Sequence, residues 1–96
     1  MNRATRLSPA TDVHARRFHD EVVVLDLVRG EYFALDDMGA KIWEAFCDGR
    51  SAGEIVGALA VLYDADVARL ETDVFELGRE LMARGLFVEV TKDVLV

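Results

Sequence analysis

Side chains able to do chemistry are few in this 96-residue chain. His14 and His19 lie five residues apart, with Asp20 beside the second. Two imidazoles and a carboxylate can ligate a divalent metal. A strand alternates its faces, however, so residues five apart point opposite ways, and the spacing matches no established zinc motif. Both read as surface histidines on an edge strand and its turn. Cys47 is the single cysteine, so no intramolecular disulfide is available. Asp48 beside it and a helix C-terminus both disfavour a thiolate, which makes it a small hydrophobe rather than a nucleophile. No Gly-rich phosphate loop follows a strand, and no Ser/His/Asp set is recognisable. The chain is expected to be non-catalytic, with no cofactor and no metal.

With no reacting residues to position, the elements themselves become the candidate binding surfaces. Residues 1–11 are polar, aperiodic and contain the only proline, Pro9, and read as a flexible N-terminal arm. A strand near Val13–Phe18, with His19-Asp20 as its turn, leads to the β-branched run Val22–Val28. After Arg29-Gly30, the stretch Glu31–Leu35 reads as a third antiparallel strand. Asp36 or Asp37 caps a first helix, with Met38, Ile42, Trp43 and Phe46 on its apolar face and Gly49 at its end. Ser51-Ala52-Gly53-Glu54 is a capping box that opens a second helix. The third runs from about Val67 to Arg84, with Val67, Leu70, Val74, Leu77 and Leu81 inward and Gly85 as its stop. Leu86–Val90 adds a short wing-like strand, and residues 91–96 read as a C-terminal tail. The predicted architecture is α+β and winged helix-turn-helix-like: a three-stranded antiparallel sheet followed by three helices.

Hydrophobic residues form 52% of the chain, enough for the core of one small domain. No apolar run approaches the roughly 18–20 residues of a membrane span. Met1–Arg6 has arginines but no apolar stretch behind them, so it does not read as a secretory signal. A cytoplasmic location is the simplest expectation. The net charge of −7 is uneven: residues 1–30 carry +1 and the remainder −8. The third helix sets Asp66, Glu71, Asp73, Glu76 and Glu80 against Arg69, Arg79 and Arg84. A helix-turn-helix DNA reader would turn that helix toward phosphate, where its acid would repel. Nucleic acid is therefore not the expected partner.

Two surfaces are left spare. Glu31–Leu35 lies at the expected edge of the sheet, where unpaired backbone groups template an added strand. Phe75 and Met82 sit seven residues apart on a flank of the third helix, with Gly78 between them. Two readings remain open there: packing beneath the sheet, or the close approach of another backbone over a glycine whose presence in a helix costs about 1 kcal/mol against alanine.

The stretches Val23–Leu27, Gly30–Asp36 and Gly39–Trp43 resemble the PqqD family. So do Asp48–Ser51 with Glu54, Ile55, Leu59 and Tyr63-Asp64, followed by Asp73-Val74 and Leu81–Leu86. The ordered set spans about residues 12–90, expected to form one peptide-binding domain. The resemblance implies a recognition element for ribosomally made, post-translationally modified peptides, with a sheet followed by three helices. It implies that a precursor's leader adds as a strand to the third strand and lies against the third helix. On this chain the strand is Glu31, Tyr32, Phe33, Ala34 and Leu35, and the helix residues are Val67, Leu70, Glu71, Val74, Phe75 and Gly78. Within that implication Val67, Leu70, Val74 and Phe75 line side-chain pockets, and Glu71 pairs with a basic leader residue. The chain is most similar to the stand-alone lasso-peptide B1 proteins, which deliver a precursor to a leader peptidase acting with a cyclase. The alternative within the family is delivery to a radical-SAM enzyme, as in pyrroloquinoline quinone biosynthesis.

Overall fold

The computed structural model describes residues 1–90; the expected C-terminal tail, 91–96, lies outside them. Three antiparallel strands form the main sheet: β2 (Val13–Phe18), β3 (Glu21–Asp26) and β4 (Glu31–Leu35), in the order β2-β3-β4. Three helices follow, α1 (Asp37–Cys47), α2 (Ala52–Tyr63) and α3 (Val67–Ala83). A separate two-stranded sheet joins β1 (Leu7–Pro9) to β5 (Phe87–Glu89). The winged-helix comparison fits loosely, because β5 pairs with β1 rather than with the main sheet.

The pleat of the sheet separates two faces. Val22, Val24 and Asp26 of β3 are buried, and β4 pairs Leu35, Phe33 and Glu31 opposite them. On the other face Val23 and Leu25 pair with Ala34 and Tyr32. The inner face meets Ile42, Trp43 and Phe46 of α1 in one core with Ile55, Val56 and Leu59 of α2 and Leu70, Val74 and Leu81 of α3. Phe87 joins the aromatic centre of that core, stacked on Trp43 at 4.3 Å and edge-on to Phe46 at 5.6 Å. Every helix begins on a side-chain cap. Asp36 accepts from the Gly39 amide, Ser51 and Glu54 form a reciprocal capping box, and Asp66 accepts from the Ala68 amide.

Two expectations are corrected. β3 ends at Asp26, two residues short of the predicted strand. The Asp26 carboxylate accepts from the Val28 and Arg29 amides, and the Gly30 amide donates to the Asp26 carbonyl at 2.9 Å. This side-chain closure turns the chain before Leu27 and Val28 can pair, and leaves them 60% and 74% exposed.

The second correction concerns residues 1–11, which are packed rather than forming a loose arm. Thr5 and Leu7 are buried. The carbonyls of Thr5 and Arg3 accept from the Ala52 and Gly53 amides at 2.8 Å each. Those are first-turn amides of α2, which have no partner inside their own helix. A Cβ at Gly53 would stand 3.1 Å from the Arg3 carbonyl oxygen, so the glycine makes room for the approach. Arg6 and Arg3 add ion pairs to Glu54 and Glu71. No helix among the described residues is long and apolar enough to cross a membrane.

Candidate functional site: an open strand edge beside helix α3

β4 pairs with β3 on one side only, so among the described residues its other edge carries no strand. Tyr32 on its outer face is 71% exposed, while Phe33 and Leu35 turn inward and are partly buried. Residues of α3 and its C-cap face this edge across two hollows, together called the trough. Toward the end of β4 lies a hollow of about 390 Å³ lined by Leu35, Asp36, Met38, Ile42, Asp73 and Leu77. Toward its start lies a second hollow of about 410 Å³, between Gly30–Phe33 and Arg84. There the Arg84 guanidinium stands 4.5 Å from the centroid of the Phe33 ring and pairs with Glu80 at 3.2 Å. The Arg84 carbonyl accepts from Arg29 at 2.9 Å, which ties the β3–β4 turn to the end of α3.

The geometry of α3 decides which side chains the trough can use. Its buried row is Leu70, Val74 and Leu81, with Gly78 buried at one side of it. At 3.6 residues per turn, Asp73, Leu77, Glu80 and Arg84 fall on one flank of that row. Glu71, Phe75, Gly78 and Met82 fall on the other. Asp73 and Leu77 line the first hollow and Arg84 the second, so the first flank faces β4. Glu71 pairs with Arg3, and a Cβ on Gly78 would meet the Met1 methyl at 2.7 Å and Leu7 Cδ1 at 3.3 Å. The N-terminal segment therefore packs against the second flank at Glu71 and Gly78.

The expected site residues divide between these surfaces and the core. Glu31, Tyr32, Phe33, Ala34 and Leu35 form the open edge. Leu70 and Val74, at 2% and 0% exposure, are core and present no pocket wall. Val67, 43% exposed, stands in the first turn of α3, one heptad before Val74. Glu71, Phe75 and Gly78 lie on the second flank, where Arg3 meets Glu71 and the Met1 and Leu7 side chains lie against Gly78. The close approach that Gly78 permits is made by this chain's own Met1 and Leu7 side chains. Sequence reasoning did not single out Asp73, Met38 or Arg84 as lining these hollows, and Leu77, expected inward, packs against the core while also lining the first hollow. The i, i+4, i+11 spacing of Asp73, Leu77 and Arg84 was the available signal.

Elsewhere the ionisable groups are structural. Hydrogen bonds from Lys41 and Tyr63 hold the Asp37 carboxyl below its usual range, and a bond from Arg17 does the same for Glu44. Cys47 is an exposed residue whose thiol is pushed up to about 11 by partial burial and by Asp48 and Glu44. His14 pairs with Leu25 across the sheet and His19 sits in the β2–β3 turn at a φ of 54°, so the two do not converge.

This architecture has close counterparts. The PqqA binding protein of Rhodopseudomonas palustris (strain BisB5) is 36% identical over 86 residues, covering 84% of this chain and 81% of that protein. Among solved structures, TbiB1 in complex with the TbiA(beta) leader peptide is 32% identical and superposes with a TM-score of 0.82. That match covers 88% of this chain and 99% of TbiB1. A lasso peptide synthetase B1 complexed with its leader peptide, 24% identical, shares the fold at a TM-score of 0.81 over 86% of this chain and 98% of its own. The family model described as coenzyme PQQ synthesis protein D (PqqD) matches residues 21–86, from the start of β3 to the residue before β5, and the chain belongs to that family.

Proposed function

We propose that this chain is a non-catalytic recognition protein that binds the leader of a ribosomally synthesised precursor peptide and delivers it to a modifying enzyme. The observation that carries this reading is the unpaired edge of β4 beside the trough along α3. An extended leader adds there as a fourth strand, with backbone bonds along Glu31–Leu35 giving affinity and the two hollows giving selectivity. The likeness to TbiB1, solved in complex with the TbiA(beta) leader peptide, supports a leader peptide as the ligand, and the enzyme served is read as a leader peptidase in lasso-peptide biosynthesis. Strand addition of this kind corresponds to about −8 kcal/mol if binding is near 1 μM. A precursor fresh from the ribosome places the step in the cytoplasm.

A second reading within the same mechanism is presentation of a precursor to a radical-SAM enzyme. The likeness to the PqqA binding protein of Rhodopseudomonas palustris, at 36% identity, supports a PqqA-like precursor as the ligand in that reading. Synthetic peptides covering the short open reading frames beside the gene, titrated by calorimetry, test the reading. One of them binds at micromolar strength or tighter if the proposal holds; none binds if it fails. Pull-down of the separately purified neighbouring enzymes with the peptide complex then distinguishes a leader peptidase from a radical-SAM protein.

A further inference from the structure

The hollow at the end of β4 has a composition of its own. Leu35, Met38, Ile42 and Leu77 make its walls apolar, while Asp36 and Asp73 stand at its rim. Asp36 already caps α1 through the Gly39 amide at 2.9 Å, so its charge offsets the positive end of that helix. Asp73 has no such duty. Among the described residues Glu44, Glu54, Glu71 and Glu80 each hold an arginine, whereas no cation pairs with Asp73. An apolar slot with one uncompensated carboxylate at its mouth fits a long alkyl stem ending in a cation. Lys and Arg have that form: the methylenes lie on apolar surface and the head stays at the wet rim.

Resting on the strand-addition reading, we infer that this hollow is the subsite for a basic side chain of the bound peptide, and that Asp73 selects it. The added strand lies along β4, and alternate residues of it face α3. The residue opposite the end of β4 then enters the slot between Met38 and Leu77. A Leu or Met there fills the walls and leaves Asp73 without a partner. A Glu there meets a like charge and is rejected. The basic contact predicted at Glu71 is thereby reassigned to the opposite flank of the same helix, because Arg3 already neutralises Glu71.

The test pans a displayed library of random 15-residue peptides against the full chain, then repeats the selection with Asp73→Lys. Lys or Arg recurs at one aligned position against the wild type, and Asp or Glu replaces it against the variant. A synthetic binder with that Lys changed to Met, which keeps a similar stem, loses about fivefold in affinity for the wild type and nothing for Asp73→Ala. An equal loss in both proteins, or an unchanged consensus with Asp73→Lys, overturns the subsite while leaving strand addition intact, provided the binders still protect the β4 amides from exchange. Binders that leave the β4 amides unprotected overturn strand addition, and the subsite with it.

Discussion

Leu77 and Gly78 are neighbours in sequence on opposite flanks of α3, which makes them a sharp probe of where a peptide lies. Leu77 is partly buried in the free protein and lines the hollow beside Asp73. Leu77→Ala removes three carbons, each contributing about 0.8 kcal/mol on full burial. The protein already covers at least about two thirds of that surface, so at most about 0.8 kcal/mol is left for the peptide to gain, or about fourfold in Kd. Gly78→Ala acts elsewhere. Its new Cβ would lie 2.7 Å from the Met1 methyl, the free end of a flexible thioether chain that can swing aside, and 3.3 Å from Cδ1 of the buried Leu7, which must give by a few tenths of an ångström. A helix-propensity gain of about 1 kcal/mol opposes that displacement. Stability then stays within about 1 kcal/mol of the parent, and peptide affinity is unchanged. Calorimetry with one peptide against both variants, with thermal unfolding as the folding control, reads the contrast. A fourfold loss at Gly78→Ala with none at Leu77→Ala would falsify the assignment of the β4-facing flank.

Ser51→Ala removes the α2 cap, where Ser51 accepts from the Glu54 amide and Glu54 from the Ser51 amide, and is expected to lower stability by about 1 kcal/mol in denaturant titration. Glu44, Asp37 and Glu54 have folded pKa values lowered by Arg17, by Lys41 with Tyr63, and by the Ser51 amide respectively. Their stabilisation is complete above the ordinary carboxylate range of about pH 4–4.5 and is lost as pH falls through the lower folded values. Thermal unfolding from pH 7 to pH 3 should therefore show a falling midpoint at the acid end, and Arg17→Ala should flatten part of that fall. With its thiol at about 11, Cys47 should react with iodoacetamide at pH 8 far more slowly than a free cysteine, despite its exposure; a rate equal to that of glutathione would contradict the assignment.

What the sequence made legible was local. Asp36, Ser51 with Glu54, and Asp66 start their helices through bonds spanning two or three residues, and those starts follow from residue type alone. The β3 boundary was misread because Leu27 and Val28 suit a strand while Asp26 competes by closing a turn on its own side chain. The N-terminal segment was illegible for a different reason. Its order comes from β5, some eighty residues away, and from α2 amides, and neither contact leaves a periodic trace in residues 1–11. That miss propagated to the site. Hydrophobic period identifies two flanks of α3 but not which element covers each, and the apolar Phe75 and Met82 drew attention away from the mixed row of Asp73, Leu77 and Arg84. The open edge itself was readable, because a third strand leading straight into helices leaves nothing local to pair with it.

The central claim is that a peptide becomes the strand next to β4, and amide hydrogen exchange of the isotope-labelled chain tests it directly. With a bound leader, alternate amides within Glu31–Leu35 should become protected, because half of the strand's N–H groups face away from β3. Amides of β2, at the opposite edge of the sheet, should exchange as before. Protection confined to β2 or to the helices, with β4 unchanged under saturating peptide, would contradict the account.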